Sequence, residues 1–203
     1  LNLLIQEIQR VYPVDKEIRL LGFSGGAKLA IHFADANPAV SKVLYAGAAY
    51  PLRRRENISI LGFAGIRDMN YMDLVHFETT ISQLPYTHQL VEWQGKHEYP
   101  ELNIMKDGFY FLENDSVQNY LEKKPRVSQE VLMKEQLLKR KFYQAYGQKD
   151  LAWWQREISY LQQDAKTDVM FERILGFIGL NCYSYTQQAI NAGDVEKADY
   201  LVK

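Results

Sequence analysis

The residues best suited to chemistry in this chain are a serine, an aspartate and a histidine. Ser24 lies in residues 22–26 (GFSGG), which fit the G-x-S-x-G pattern of a nucleophile on a tight strand-to-helix turn. A serine hydroxyl needs a base to take its proton, and backbone amides must stabilise the oxyanion that its attack creates. Ser24 is therefore the candidate nucleophile, and the amide of Gly25 is a candidate oxyanion donor. The alternative is an inert serine in a glycine-rich turn.

His97 is the candidate base among four histidines. It lies in residues 94–98 (QGKHE), just after a predicted strand and on the same side as Ser24. One other histidine is about 12 Å along the helix that follows Ser24, one is inside a helix, and one opens a strand at the opposite end of the sheet: His32, His76 and His88. A loop histidine without a role is the alternative for His97.

Asp68 is the candidate acid, because a carboxylate fixes the tautomer of the base and stabilises its imidazolium. It lies in residues 65–70 (GIRDMN), also just after a predicted strand. Asp73 is the rival, but the pattern places it one turn inside the next helix. Asp68 has a second interpretation, as the N-cap of that helix.

The elements that must position these residues alternate between strands and helices. Short apolar runs predict strands at 18–23, 42–48, 59–63 and 89–93, and helical spacing predicts a first helix ending before Pro13 and further helices at 27–35, 71–84 and 102–112. Such alternation predicts an α/β fold with a mainly parallel sheet. Ligands of these sheets bind at the carboxyl ends of the strands, where all three candidates lie.

The pattern changes near residue 114, where strand signals end. We expect two domains, 1–114 and 115–203, the second all-helical. Its predicted helices cover 128–146, follow the caps Asp150 and Asp168, and end in a stretch at 183–203 whose turn at 192–194 joins two short helices. The region resembles part of a tetratricopeptide-type hairpin. Gly147 and Gly193 are 46 residues apart rather than the roughly 34 of that repeat, so a single copy is expected.

Composition and motifs exclude several classes of function. The net charge of -1 argues against a nucleic-acid partner. Cys182 is the only cysteine, which excludes an internal disulfide and a cysteine-based zinc site and predicts a small buried apolar residue. No apolar run reaches the ~18 residues of a membrane span, and no signal peptide is visible. No dinucleotide or H-E-x-x-H motif occurs, so no cofactor or metal is expected. Cytoplasm and bacterial periplasm both remain open.

The chain resembles the α/β-hydrolase fold over residues 1–113, especially small esterases, phospholipase/carboxylesterase-like proteins and dienelactone-hydrolase-like proteins. The resemblance rests on GFSGGAKLA, GFAGIRDMNY and QGKHEYP, and on the chain order Ser24, Asp68, His97. It implies a nucleophile, an acid and a base at these positions, and a carboxylesterase-like serine hydrolase of small-molecule esters or amides. Only residues 50–57 separate the second and third strands, so no lid domain is expected there.

The sequence departs from this family before its first helix. A complete domain has about four more strands there, together with a loop that supplies a second oxyanion amide. Loss of one such donor costs about 100- to 1,000-fold in rate. Because the chain opens with Leu1, we expect the C-terminal half of a longer enzyme, inactive alone. The competing hypothesis is a catalytically silent hydrolase-fold scaffold whose aromatic-rich helices, with Trp153 and Trp154, bind a protein partner.

Overall fold

The structure, a computed structural model, describes residues 1–53, 57–85, 87–114 and 127–202. The predicted domain boundary at 114–115 adjoins residues 115–126, which lie outside the described residues. Part of the short connection at 50–57 lies outside them as well.

The described chain is an α/β protein with eight helices and one sheet. The sheet has four parallel strands in the order β1-β2-β3-β4. The elements in chain order are α1 (Asn2–Val11), β1 (Ile18–Phe23), α2 (Gly25–Ala36), β2 (Val40–Ala46), β3 (Ser59–Gly65), α3 (Tyr71–Ile81), β4 (Thr87–Trp93), α4 (Leu102–Glu113), α5 (Gln129–Ala145), α6 (Leu151–Asp164), α7 (Val169–Asn191) and α8 (Val195–Val202). The predicted α/β class and parallel sheet are confirmed.

The chain divides into two compact units. The first comprises Leu1–Ala64, Asp73–Trp93 and the chain from Tyr99 through α4. The second comprises Gly65–Met72, Gln94–Glu98 and helices α5 to α8. The loops that follow β3 and β4 in the chain are therefore grouped with the C-terminal helices.

The core of the first unit lies on its central strands. β2 and β3 are buried along almost their whole length, which explains their continuous apolar sequences. Their side chains pack with β4 and α4 in one cluster: Leu44, Ala46, Leu61, Phe63, Val91 and Phe111. β1 is an edge strand in which half-buried and exposed residues alternate and only Gly22 is buried, so this strand is less buried than its apolar sequence predicts. α1 before it buries no residue.

The core of the second unit is formed by α5, α6 and α7. Its buried members are Phe142, Ala145, Trp154, Leu161, Ile174 and Ile178. Trp153 and Cys182 pack against them half-buried, so packing already accounts for the two tryptophans. The side chains of Asp150 and Asp168 accept hydrogen bonds from the amides of Trp153 and Met170, which confirms both predicted caps.

The predicted helix boundary near residue 183 is wrong. α7 continues without a break to Asn191, because its inward stripe continues from Ile178 through the half-buried Cys182 to the buried Ala189. No proline interrupts this segment. The turn at 192–194 is present, with Gly193 at φ 73°, but it joins one long helix to the short α8. Within the described ranges, no helix is long and apolar enough to cross a membrane.

A buried carboxylate in the first unit gives the fold a pH dependence. Oε1 of Glu78 on α3 lies 2.7 Å from Nδ1 of His88 at the start of β4. Its Oε2 is buried without a hydrogen-bond partner among the described residues. Burial raises the pKa of Glu78, and His88 partly offsets the shift. Since the pKa is higher in the folded than in the unfolded chain, the stability present below the ordinary value of 4.5 is lost as pH rises through the folded value.

We expect Glu78→Gln to remove the loss of stability that ionisation of the buried Glu78 carboxyl causes. Its free energy of unfolding relative to the wild type should rise from about pH 4 to about pH 7, measured by urea unfolding at each pH. Glu7→Gln is the control, because Arg10 lowers the pKa of the exposed Glu7 and the trend there has the opposite sign. A Glu78→Gln difference that stays flat or falls with pH would contradict the assignment.

Candidate active site

Ser24 lies at the turn between β1 and α2 in a strained backbone conformation. Its φ is 52° and its ψ is -118°, and Asn57 is the only other non-glycine residue with positive φ in the described chain. A serine with positive φ is uncommon and persists where the surroundings enforce it. The amide of Ser24 donates to the carbonyl of Ala46 at 2.8 Å, which ties the turn to the end of β2.

Ser24 occupies the N-cap position of α2 but does not cap it. Serine at this position ordinarily accepts a hydrogen bond from an amide of the first turn. The Ser24 side chain makes no such bond. Ser24 therefore precedes α2 in the position that the nucleophile on such a turn occupies, without serving as the cap of the helix.

The glycines around Ser24 have different roles. A Cβ on Gly22 would lie 2.7 Å from Cα of Ala27 and closer still to the carbonyl of Gly26, so only glycine fits between strand and helix. A Cβ on Gly25 or Gly26 would meet nothing within 4 Å. Of the three glycines around Ser24, only Gly22 is therefore required by close packing. Gly25 is the first residue of α2, where amides have no intrahelical acceptor and can donate to an anion.

In the second unit, the structure brings Asp68 and His97 together. Nδ1 of His97 lies 3.0 Å from Oδ1 and 3.1 Å from Oδ2 of Asp68. The Asp68 side chain is 2% exposed, whereas that of His97 is 25% exposed. A carboxylate only accepts hydrogen bonds, so the contact places the proton of a neutral imidazole on Nδ1. Nε2 is then the basic nitrogen, as a general base requires.

Both loops that carry this pair are held closely together. The amide of Arg67 donates to the carbonyl of Gly95 at 2.9 Å. A Cβ on Gly65 would lie 2.6 Å from the carbonyl oxygens of both Gly95 and Lys96. Glycine at position 65 therefore lets the loop at 94–98 approach, which brings His97 within reach of Asp68.

Asp68 also stabilises its own loop. Its Oδ1 accepts from the amide of Asn70 at 2.8 Å, and its carbonyl accepts from the amide of Tyr71 at 2.9 Å. Since α3 begins at Tyr71, Asp68 is not its N-cap; its side chain closes the turn before the helix and also contacts His97. The rival Asp73 is exposed in the first turn of α3, where it was expected.

The remaining histidines have other surroundings. His76 is exposed on α3, and His88 pairs with Glu78. The exposed His32 ring packs edge-on against the ring of Tyr50 at 5.1 Å. In the described part of the chain, no three His, Cys, Asp or Glu side chains form a group that could hold a metal ion.

An open cavity of about 480 Å³ lies beside His97 in the second unit. Its lining residues come from the two loops and from α7: Arg67, Met69, Lys96, His97, Glu172, Leu175 and Gly176. Sequence reasoning missed the α7 residues, because nothing in their pattern separates a cavity wall from an ordinary helix face. The guanidinium of Arg67 lies 3.8 Å from the carboxylate of Glu172, a half-exposed pair of little energetic weight.

Sequence reasoning also missed three charged residues beneath the Asp68 loop. Glu135 and Lys139 on α5 and Arg173 on α7 are buried, and two of them donate to carbonyls of this loop. The first two lie on the buried face of α5 with Leu132 and Phe142. The helical spacing of apolar residues in 128–146 did not indicate that these charges are buried.

No protein-family model, no curated protein and no solved structure matches the chain. The assignment of function therefore depends on the geometry of these residues and on their order in the chain.

Proposed function

We propose that this protein is a serine hydrolase that cleaves esters or amides through an acyl-enzyme, most readily as a carboxylesterase. The observation that carries the proposal is the contact between the buried Asp68 carboxylate and Nδ1 of His97. It orients an imidazole as a base in a cavity open to small molecules. The strained, non-capping Ser24 is the matching nucleophile.

Topology supports combining the three residues. Ser24, Asp68 and His97 closely follow β1, β3 and β4 in the chain. Carboxyl ends of parallel strands lie at the same edge of a sheet, where ligands of α/β proteins bind. The proposed hydrolase is of the α/β-hydrolase type, because Ser24, Asp68 and His97 follow one another in that chain order and Ser24 lies on a strand-to-helix turn.

Each residue then has a defined step. Nε2 of His97 takes the proton of the Ser24 hydroxyl as Oγ attacks the substrate carbonyl, and the Gly25 amide donates to the resulting oxyanion. The imidazolium, stabilised by Asp68, gives its proton to the leaving alcohol or amine. A water molecule, deprotonated by His97, next attacks the acyl-enzyme, releases the acid and restores the serine.

Fluorophosphonate labelling of the full-length protein, followed by peptide mass spectrometry, tests the proposal. The adduct should form on Ser24 when the native protein is treated with the probe, and it should not form when the protein is denatured before the probe is added. If the wild type labels no more than Ser24→Ala, the hydrolase proposal fails, and the silent scaffold with a protein-binding helical region takes its place.

We expect the cavity beside His97 to receive part of the substrate. Gly176 lies on its wall, and a Cβ added to this glycine would lie 3.2 Å from Cβ of Met69. Gly176→Leu should narrow the cavity and lower kcat/KM by about tenfold or more, with the larger losses for bulkier esters. Steady-state kinetics over an ester series measures this.

Gly179→Leu is the matched control for Gly176→Leu. Gly179 is exposed on the same helix, and an added Cβ there meets nothing within 4 Å. Both changes replace a mid-helix glycine with a better helix former, so helix propensity cancels in the comparison. Equal kinetics for the two variants would exclude the cavity as a substrate site.

A further inference from the structure

Three charged side chains are buried in the second unit, where charge is expensive. Glu135 is 0%, Arg173 1% and Lys139 7% exposed. Removal of an ion from water carries a penalty of several kcal/mol, which a good ion pair only offsets. Well-packed apolar residues would stabilise such an interior equally well or better. The charges therefore call for an explanation other than stability.

Glu135 holds both cations in place. Its Oε2 accepts from Nε and Nη2 of Arg173 at 2.9 and 2.6 Å, and its Oε1 lies 2.9 Å from Nζ of Lys139. The Arg173 guanidinium also lies over the ring of Tyr71, 4.9 Å from its centroid, and Nζ of Lys139 lies 5.6 Å from the ring centroid of Phe177. Both cations are thus oriented from several sides.

Both cations donate to the backbone of the Asp68 loop. Nη1 of Arg173 donates to the carbonyl of Ile66 at 2.7 Å, and Nζ of Lys139 donates to the carbonyl of Met69 at 2.6 Å. These carbonyls belong to residues on either side of Arg67 and Asp68. The backbone that carries the Asp68 carboxylate is therefore fixed at both ends by charges from α5 and α7, an arrangement that apolar side chains cannot supply.

We propose that Glu135, Lys139 and Arg173, here called the loop clamp, are positioning residues that hold Asp68 at His97. The catalytic consequence rests on the proposed hydrolase function, whereas the Asp68–His97 contact itself does not. Reactions of this kind lose about 100-fold in rate when a group shifts by about 1 Å. Helices α5 and α7 then serve to position the Asp68 loop through these three residues.

The test compares Lys139→Met with Lys141→Met in the whole protein. Lys141 lies on the same helix and forms an ion pair with Glu157 at 2.8 Å, but it is half-exposed and outside the loop clamp. Two signals are read: the low-field proton resonance of the His97 Nδ1–H, and the rate of fluorophosphonate labelling at Ser24. Thermal unfolding followed by circular dichroism confirms that each variant is folded.

We expect Lys139→Met to broaden or lose the resonance and to label about 100-fold more slowly. Lys141→Met should match the wild type in both signals. Arg173→Lys is the second variant, because it retains a cation for Glu135 but is too short to reach Ile66 as well. A folded Lys139→Met or Arg173→Lys protein with the wild-type resonance and labelling rate would overturn the proposal.

The two proposals fail in different ways. If the wild type shows the resonance but does not label at Ser24, the hydrolase proposal fails. The comparison of the resonance between the wild type and the variants then still tests the loop clamp. If the wild type labels at Ser24 and the folded loop-clamp variants behave as the wild type in both signals, only the loop clamp is rejected.

Discussion

Ser24→Ala should lower kcat for ester hydrolysis by about a million-fold while leaving the fold intact. The hydroxyl makes no capping bond with α2, so its removal leaves no helix amide newly unsatisfied. Ser24→Gly should be equally inactive. Because glycine adopts the observed φ of 52° without strain, Ser24→Gly should also be more stable than Ser24→Ala by about 1 kcal/mol. Steady-state kinetics and urea unfolding give the two quantities.

A second residue with positive φ tests the same explanation. Asn57 has a φ of 47° away from the turn, so Asn57→Gly should also be more stable than Asn57→Ala. Its gain over Asn57→Ala should be measured in the same way. A Ser24→Ala protein that retains measurable turnover would show that another residue is the nucleophile.

Asp68→Asn should lower kcat by about 10,000-fold, the second largest effect. An asparagine amide can donate to Nδ1 of His97, which would leave the proton on Nε2 and prevent that nitrogen from acting as the base. Substrate binding does not depend on the tautomer, so KM should change little. Initial rates over a range of ester concentrations separate kcat from KM.

Asp73→Asn is the matched control for Asp68→Asn. It removes the same charge five residues later, at an exposed site in the first turn of α3. Its kcat should stay within about twofold of the wild type. A large loss of kcat in Asp73→Asn, with little in Asp68→Asn, would reverse the assignment of the acid.

The architecture of the first 114 residues could be predicted because its signals are local. β1 has the predicted bounds of Ile18–Phe23, and the other strands differ from prediction by a few residues at their ends. Continuous apolar runs identify the buried strands β2 and β3 directly, whereas β1 is largely half-buried or exposed. The positions of Ser24, Asp68 and His97 just after strands then followed from the chain alone.

What the sequence could not provide depends on contacts distant along the chain. The loop clamp joins positions 135 and 173 to the backbone at 66 and 69, and carbonyl acceptors leave no trace in a residue pattern. The sequence did contain one indication of the buried charges. Leu132, Glu135, Lys139 and Phe142 share a helix face, so helical spacing places two charged residues beside two apolar ones on the face that packs.

The prediction of a helix boundary near residue 183, inside α7, was wrong for a different reason. The prediction began a new helical stretch at 183–203, although the stripe through Ile178 and Ala189 has one phase. Helix periodicity predicts the face well, but it locates a break only where a proline or glycine cap occurs. Gly193 provides such a cap, and there the prediction held.

The grouping of the loops at 65–72 and 94–98 with α5 to α8 has a consequence for how this chain opens and for how it can be divided. Because these loops are grouped with the helices, we expect the protection of their amides against hydrogen exchange to follow the local stability of those helices rather than that of the sheet. A protein truncated after residue 114 would retain every strand of the sheet. It would still lack helices α5 to α8, with which the loops of Asp68 and His97 are grouped.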